Sequence, residues 1–279
     1  MTIVAIFGAG AGGAAAAVEL IAAGHEVWLW SRSPDTLAPF EEAGGIAFDG
    51  LLGDGLATPQ LITTDLGAAA AAAEVLMVCV PTQGHRDVAR LLAQAGACGV
   101  PLVLNPGHTG GALEVAQTFR DAGVSPPPIA EFSTLTYVAR KNDPARVTVS
   151  GRAERVWVAA LPGGAVALDA ARALYPAARP RGDVLASGLA NVNLVLHPPG
   201  AVLGAAWVEA TGGDFMFYAE GVTPGVARVM QQLDDERLKV ARAFGHELEP
   251  LAQEMAANGT ADRAAAAAGD LPGRSTGRG

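Results

Sequence analysis

Short apolar runs alternate with longer alanine-rich stretches through the first half of the chain. The runs at about 2–7, 26–31, 60–63, 75–80, 101–105 and 129–133 have the length and branched side chains of buried strands. Between them, the stretches at about 12–23, 34–43, 66–73, 84–95 and 110–122 repeat apolar residues at helical spacing. Ser33 and Pro34 suit the N-cap and first position of the second helix. This alternation predicts a doubly wound, parallel α/β sheet. Residues 44–55 read as a β excursion or loop, Pro126, Pro127 and Pro128 as a stiff connector, and 146–150 and 155–159 as the last strands of the domain.

The texture changes near Asp183, after which apolar residues recur at helical spacing. Val226, Val229, Met230, Leu233, Val240 and Phe244 fall on one stripe, with Thr223 as N-cap and Pro224 at the first position. Asp234 with Arg237, and Asp235 with Lys239, read as solvated pairs on the opposite face. The pattern therefore divides into a sheet domain over 1–182 and a smaller all-helical domain over 183–252. The polar, glycine-rich residues 253–279 are expected to be disordered.

The first strand runs directly into Gly8-Ala9-Gly10-Ala11-Gly12-Gly13, the spacing G-x-G-x-x-G, and then into a helix. In that context Gly8 makes the turn, Gly10 clears the approach of a pyrophosphate, and Gly13 lets helix and sheet pack closely. The phosphates would sit on the free N–H groups at the helix N-terminus. The first domain is thus expected to be a Rossmann-type dinucleotide-binding fold. At the end of the second strand, Ser31-Arg32-Ser33 stands where an NAD-binding chain carries a carboxylate. Arg32 can pair with a 2′-phosphate and the two hydroxyls can donate to it, so NADP is expected, with NAD possible. Pro81, after the fourth strand, fixes a turn toward the nicotinamide region.

Composition narrows the class. Half the residues are hydrophobic and 17% charged, enough for a sizeable core. A net charge of −9 argues against a nucleic-acid partner. The apolar stretch at 14–23 carries Glu19 and is too short for a membrane span. Cys79 and Cys98 have neither disulfide nor metal-ligand spacing, so no metal is expected and a reducing cytoplasm fits.

Three further segments carry a resemblance: NPGHTGGALE at 105–114, EFSTLTY at 131–137, and NVNLVLHPP at 191–199 leading into EATGGDFMFYAEGVTP at 209–224. With the glycine start, they resemble the opine dehydrogenase (octopine/nopaline dehydrogenase) family over residues 1 to about 250. The resemblance implies an NAD(P)H-dependent oxidoreductase. It would reduce the imine formed between an amino acid or amine and a 2-oxo acid. It also implies that His197 moves the proton, which suits the side chain that titrates nearest neutrality. His197 is expected at a helix end, held extended by Pro198, with Asn193 on the same face four residues earlier. Thr134, Tyr137 and Arg140 are candidate substrate contacts, with Lys141 beside them, and Glu131 is either an N–H acceptor or a site residue. His25, His85 and His246 read as structural, and His108, in the loop facing the cofactor, is the competitor to His197.

The helical pattern dissolves after 248–251, where family members continue into a longer domain whose aspartate often orients the histidine. That leaves the carboxylate partner open among Asp214, Glu220 and Asp234. It also leaves apolar surface that would invite a homodimer. The alternatives are a hydroxy-acid or ketone reductase of the ketopantoate reductase kind and a weakly active dinucleotide-binding protein. For the former, the helical half offers Lys239 alone as a catalytic lysine.

Overall fold

The computed structural model describes residues 1–257, which fall into two compact units. The first comprises Met1–Arg152 and Val156–Ser187; Ala153–Arg155 and the residues from Gly188 onward make the second. The division lies a few residues beyond Asp183 because Val184 is buried in the core of the first unit.

The strands are β1 (Ile3–Phe7), β2 (Glu26–Trp30), β3 (Ile46–Gly50), β4 (Gly55–Ala57), β5 (Leu61–Thr63), β6 (Val75–Val78), β7 (Leu102–Leu104), β8 (Ile129–Phe132), β9 (Tyr137–Asp143), β10 (Arg146–Arg152), β11 (Val156–Ala160) and β12 (Ala178–Pro180). The helices of the first unit are α1 (Ala11–Ala22), α2 (Pro34–Glu42), α3 (Leu66–Ala70), α4 (His85–Gln94), α5 (Gly111–Asp121) and α6 (Ala165–Leu174). The main sheet runs β12-β11-β8-β7-β6-β1-β2-β5. From β8 to β5 every pairing is parallel, in the order of a dinucleotide-binding sheet. Val4, Ile6, Leu76, Met77, Leu102 and Val103 are almost wholly buried, as parallel strands covered on both faces require. The sheet is not parallel throughout, for β11 runs antiparallel to β8.

A second sheet, β4-β3-β10-β9, packs on α1. The excursion at 44–55 supplies β3 and leads into β4, and 146–152 joins this sheet instead of the main one. Its strands alternate buried and exposed side chains, as a sheet with one open face does. The parallel pairing of β3 with β10 joins residues about a hundred positions apart.

After α7 (Val184–Leu189) the second unit contains α8 (Asn193–Leu203), α9 (Ala205–Thr211), a π-helical turn (Phe217–Gly221), α10 (Pro224–Ala243) and α11 (Leu251–Ala257). Its core gathers Val192, Val195, Leu196, Val222, Val226, Met230, Leu251 and Met255. Thr223 caps α10 by accepting the Val226 N–H, and Pro224 follows at the first position. The stripe predicted on α10 is narrower than expected. Leu238 and Ala241 are buried, while Val229, Val240 and Phe244 are exposed.

Two expectations are corrected here. Residues 253–257 are not part of a disordered tail: they continue α11, where Met255 enters the core and Glu254 is paired with Arg155 at 2.8 Å. The remainder of that segment lies outside the described residues. And α8 does not end at His197 but continues through Pro198 and Pro199 to Leu203. An interior proline costs a helix about 3 kcal/mol. Here Val195, Leu196, Pro199 and Gly200 are buried on one face, and each buried large aliphatic side chain returns about 1.5–3 kcal/mol.

Candidate functional site

In the first unit the parallel strands deliver their carboxyl ends, and the loops that follow them, to one edge of the sheet. The strand order reverses between β1 and its neighbours β2 and β6, which is where open α/β sheets bind ligands. Gly8 holds φ +123°, and its N–H donates to the Trp30 carbonyl at 2.9 Å. A Cβ on Gly8 would strike the Cys79 carbonyl, and one on Gly13 would strike the Gly8 carbonyl oxygen. A Cβ on Gly10 would meet nothing within 4 Å. Gly10 is the N-cap of α1 and no side chain caps the helix. The first-turn N–H groups are thus offered to an open space, and the cradle fits a dinucleotide pyrophosphate.

Ser31, Arg32 and Ser33 follow β2. Ser31 is buried, and its hydroxyl accepts the Ser33 N–H at 3.4 Å. Ser33 is the N-cap of α2, but its side chain makes no capping bond. Arg32 projects into solvent, with its guanidinium 3.5 Å from the Asp87 carboxylate. Asp87 also pairs with Arg90 at 3.1 Å. Pro81 is exposed and leads a single 3-10 turn, Thr82–Gly84, into α4.

The loop after β7 and the segment after β8 are tied together. Asn105 donates to the Thr136 hydroxyl at 3.1 Å, and Glu131 accepts the Ala112 N–H at 2.7 Å. Glu131 is fully buried, and burial pushes its carboxyl up to about 8 although the Ala112 bond opposes this. It is thus an N–H acceptor at the start of α5. His85 is also fully buried, and burial, with His108 nearby, pulls it below the usual histidine range.

Tyr137 has a task other than the substrate contact expected of it. Its hydroxyl donates to Glu19 at 2.6 Å and lies 3.1 Å from the Tyr175 hydroxyl. Burial pushes it well above the ordinary tyrosine value. The side chain is an internal strut between α1 and the sheet. Arg140 stands exposed on β9 and donates to the Ala139 carbonyl, while Lys141 lies over the Phe40 ring at 4.2 Å. Thr134 is partly exposed in the segment after β8.

In the second unit, α8 carries Asn193 at its first position, where the backbone N–H donates to the Asn191 side chain at 3.2 Å. His197 is exposed one turn later. Its Nε2 is 2.7 Å from the Tyr218 hydroxyl. Phe217 lies 6.1 Å from the imidazole and edge-on to Tyr218 at 5.1 Å. Partial burial lowers the imidazole below the usual histidine value, because desolvation disfavours the charged ring. Tyr218 escaped the sequence reading; the signal was its place in FMFYAEG, an aromatic pair beside the His-Pro element.

The three carboxylates considered for His197 are placed elsewhere. Asp234 and Arg237 are not a solvated pair but a buried one at 2.8 Å. Glu220 accepts the Met216 N–H at 3.3 Å, and Asp214 is exposed beyond α9.

The dinucleotide cradle and the separate helical unit bearing an exposed histidine define an NAD(P)-dependent dehydrogenase acting on CH–NH bonds, as the relatives show. The family model for the alpha-helical domain of NAD/NADP octopine/nopaline dehydrogenases matches residues 180–265, and one for coenzyme F420-dependent NADP oxidoreductases matches 3–101. The opine dehydrogenase of Arthrobacter sp. (strain 1C) is 34% identical over 242 residues, covering 86% of this chain and 67% of that protein. The chain belongs to the opine dehydrogenase family. It spans about two thirds of that relative's length. Among solved structures, yersinopine dehydrogenase with NADP+ bound superposes with TM-score 0.75 at 17% identity, covering 93% of this chain and 68% of that one. Octopine dehydrogenase in complex with NADH and agmatine gives 0.69 at 20%, covering 91% and 68%.

Proposed function

We propose that the chain reduces, with NADPH, the C=N bond formed when the amino group of an amino acid condenses with a 2-oxo acid. The observation that carries this reading is His197, an exposed imidazole on α8 held by the Tyr218 hydroxyl, inside the stretch that the family's helical domain matches. Condensation passes through a carbinolamine, whose hydroxyl leaves as water once protonated, and the imine nitrogen takes up a second proton on reduction. Histidine is suited to both transfers near neutral pH. The bound dinucleotide supplies a hydride to the imine carbon; residues 8–13 would hold its pyrophosphate. Arg32, with Ser31 and Ser33, would hold the 2′-phosphate and favour NADP, and Pro81 would border the nicotinamide. Asn193 on α8, and Thr134 and Arg140 in the first unit, are proposed substrate contacts as polar groups within or next in sequence to the segments that carry the family resemblance.

The test is NADPH oxidation against a panel of amino acids, each mixed with pyruvate, 2-oxoglutarate or glyoxylate. Oxidation that requires both substrates, and that His197→Gln abolishes, is expected. Oxidation with an oxo acid alone would favour the ketopantoate reductase reading; Lys239, which that chemistry would need, is exposed on α10.

We also propose a cytoplasmic homodimer. The two free thiols, Cys79 and Cys98, suit a reducing compartment. None of the helices among the described residues is long and apolar enough to cross a membrane. Residues 201–210, AVLGAAWVEA, are exposed apart from Gly204, and Val202, Leu203 and Trp207 form an apolar surface suited to a second copy. Sedimentation at micromolar concentration should give a dimer that Trp207→Glu dissociates; a monomeric parent protein would rule it out.

A further inference from the structure

We infer that Tyr218 is the positioning residue of His197: its hydroxyl anchors the ring through Nε2 and leaves Nδ1 to exchange the proton with the substrate. The inference rests on the proposed role of His197. Its ground is the 2.7 Å contact, the one hydrogen bond that the imidazole makes among the described residues.

The local fold is arranged around that contact. Gly200 lies three residues after His197 on α8, and a Cβ there would drive into the Phe217 ring. A Cβ on Gly221 would crowd Phe215 at 3.1 Å. With Gly200 bare, the π-helical turn lies close on α8 and carries the Tyr218 hydroxyl to His197. Phe217 packs edge-on against the tyrosine ring and restricts its swing.

The chemistry follows from what a phenol can and cannot do. In the imidazolium both nitrogens donate; after transfer from Nδ1, the Nε2–H still donates to the Tyr218 oxygen. The ring therefore keeps one orientation and one tautomer through the cycle. A carboxylate in this place would add a full negative charge and hold the ring protonated. A phenol accepts the same bond without that charge, so Nδ1 can still give up its proton to the substrate.

The experiment is a pH titration of the His197 ring nitrogens by 15N NMR in the parent protein and in Tyr218→Phe, with NADPH turnover measured alongside. In the parent protein Nδ1 is expected to titrate while Nε2 stays protonated. In Tyr218→Phe the imidazole should lose a bond to its charged form, so its pKa should fall by about half a unit. Loss of ring orientation should lower kcat by about tenfold. KM should stay within about twofold, and the basic limb of the pH profile should move to lower pH. Gly200→Val, which displaces Phe217, should reproduce the NMR shift by a second route. An unchanged pKa and tautomer in Tyr218→Phe would overturn the inference, whether or not the enzyme turns over. Normal turnover in His197→Gln would instead remove the proposed catalytic role while leaving the NMR result to decide the pair.

Discussion

Asp234 and Arg237, one turn apart on α10, face each other at 2.8 Å with both side chains out of solvent. The second carboxylate oxygen of Asp234 accepts the Leu251 N–H at 2.8 Å, and Arg237 donates to the carbonyls of Leu189 and Glu249, each at 2.7 Å. One ion pair thus ties the end of α7 and the start of α11 to α10. Removing one partner from a buried pair costs about 3–5 kcal/mol, because the other is left charged and unpaired. Asp234→Ala should lower stability by that amount in urea denaturation. A paired replacement by apolar residues of similar volume, Asp234→Leu with Arg237→Met, should recover most of it. A loss under about 1 kcal/mol in the single variant would mean that water reaches the arginine.

That pair also marks where the sequence stopped being legible. An Asp and an Arg three residues apart have the same spacing on a wet face as in a core, and the difference is made by Leu189, Glu249 and Leu251, which only tertiary structure brings there. Local signals fared well: the strands from Ile3, Glu26, Val75, Leu102 and Ile129 and the intervening helices follow from apolar runs and glycine or proline punctuation. The second sheet did not, since β3 and β10 pair across about a hundred residues. Tyr137 was misjudged for the same reason, because its partners Glu19 and Tyr175 are distant in sequence. Pro198 argued against a helix past His197, and burial on the other side of α8 overrode it.

Gly10 and Gly13 should behave differently when replaced. The open space around Gly10 admits a methyl group, so Gly10→Ala should fold with an unchanged Tm yet bind NADPH at least about tenfold more weakly by fluorescence titration. Gly13→Ala meets the Gly8 carbonyl oxygen and should lower Tm outright. Equal NADPH affinity in Gly10→Ala would place the pyrophosphate elsewhere.

Arg32 and Asp87 make opposite predictions about cofactor choice. Arg32→Ala removes the cation proposed for the 2′-phosphate. A charge-assisted bond is worth about 1.5–3 kcal/mol, so NADPH should weaken by about tenfold or more while NADH changes little. Asp87→Asn removes a competing carboxylate 3.5 Å from Arg32, an exposed pair worth at most about 1 kcal/mol. It should tighten NADPH by up to about fivefold. Binding titrations with both nucleotides check this, and a parent protein that prefers NADH would refute the proposed use of Arg32.

Glu131 gives a pH dependence with a definite sign. Its carboxyl titrates near 8 in the folded protein and near 4.5 when exposed. Between those values the unfolded chain has lost a proton that the folded protein keeps, so the unfolded state binds fewer protons and stability falls as pH rises. The contribution is fully present below about pH 4.5 and gone above about pH 8. Its size is on the order of a few kcal/mol. Glu131→Gln has nothing to titrate there, and its amide oxygen can still accept the Ala112 N–H. The variant should therefore gain in Tm on the parent protein steadily from pH 5 to pH 8. A parallel pair of Tm curves would mean that Glu131 is already ionised in the fold, held so by the N-terminus of α5.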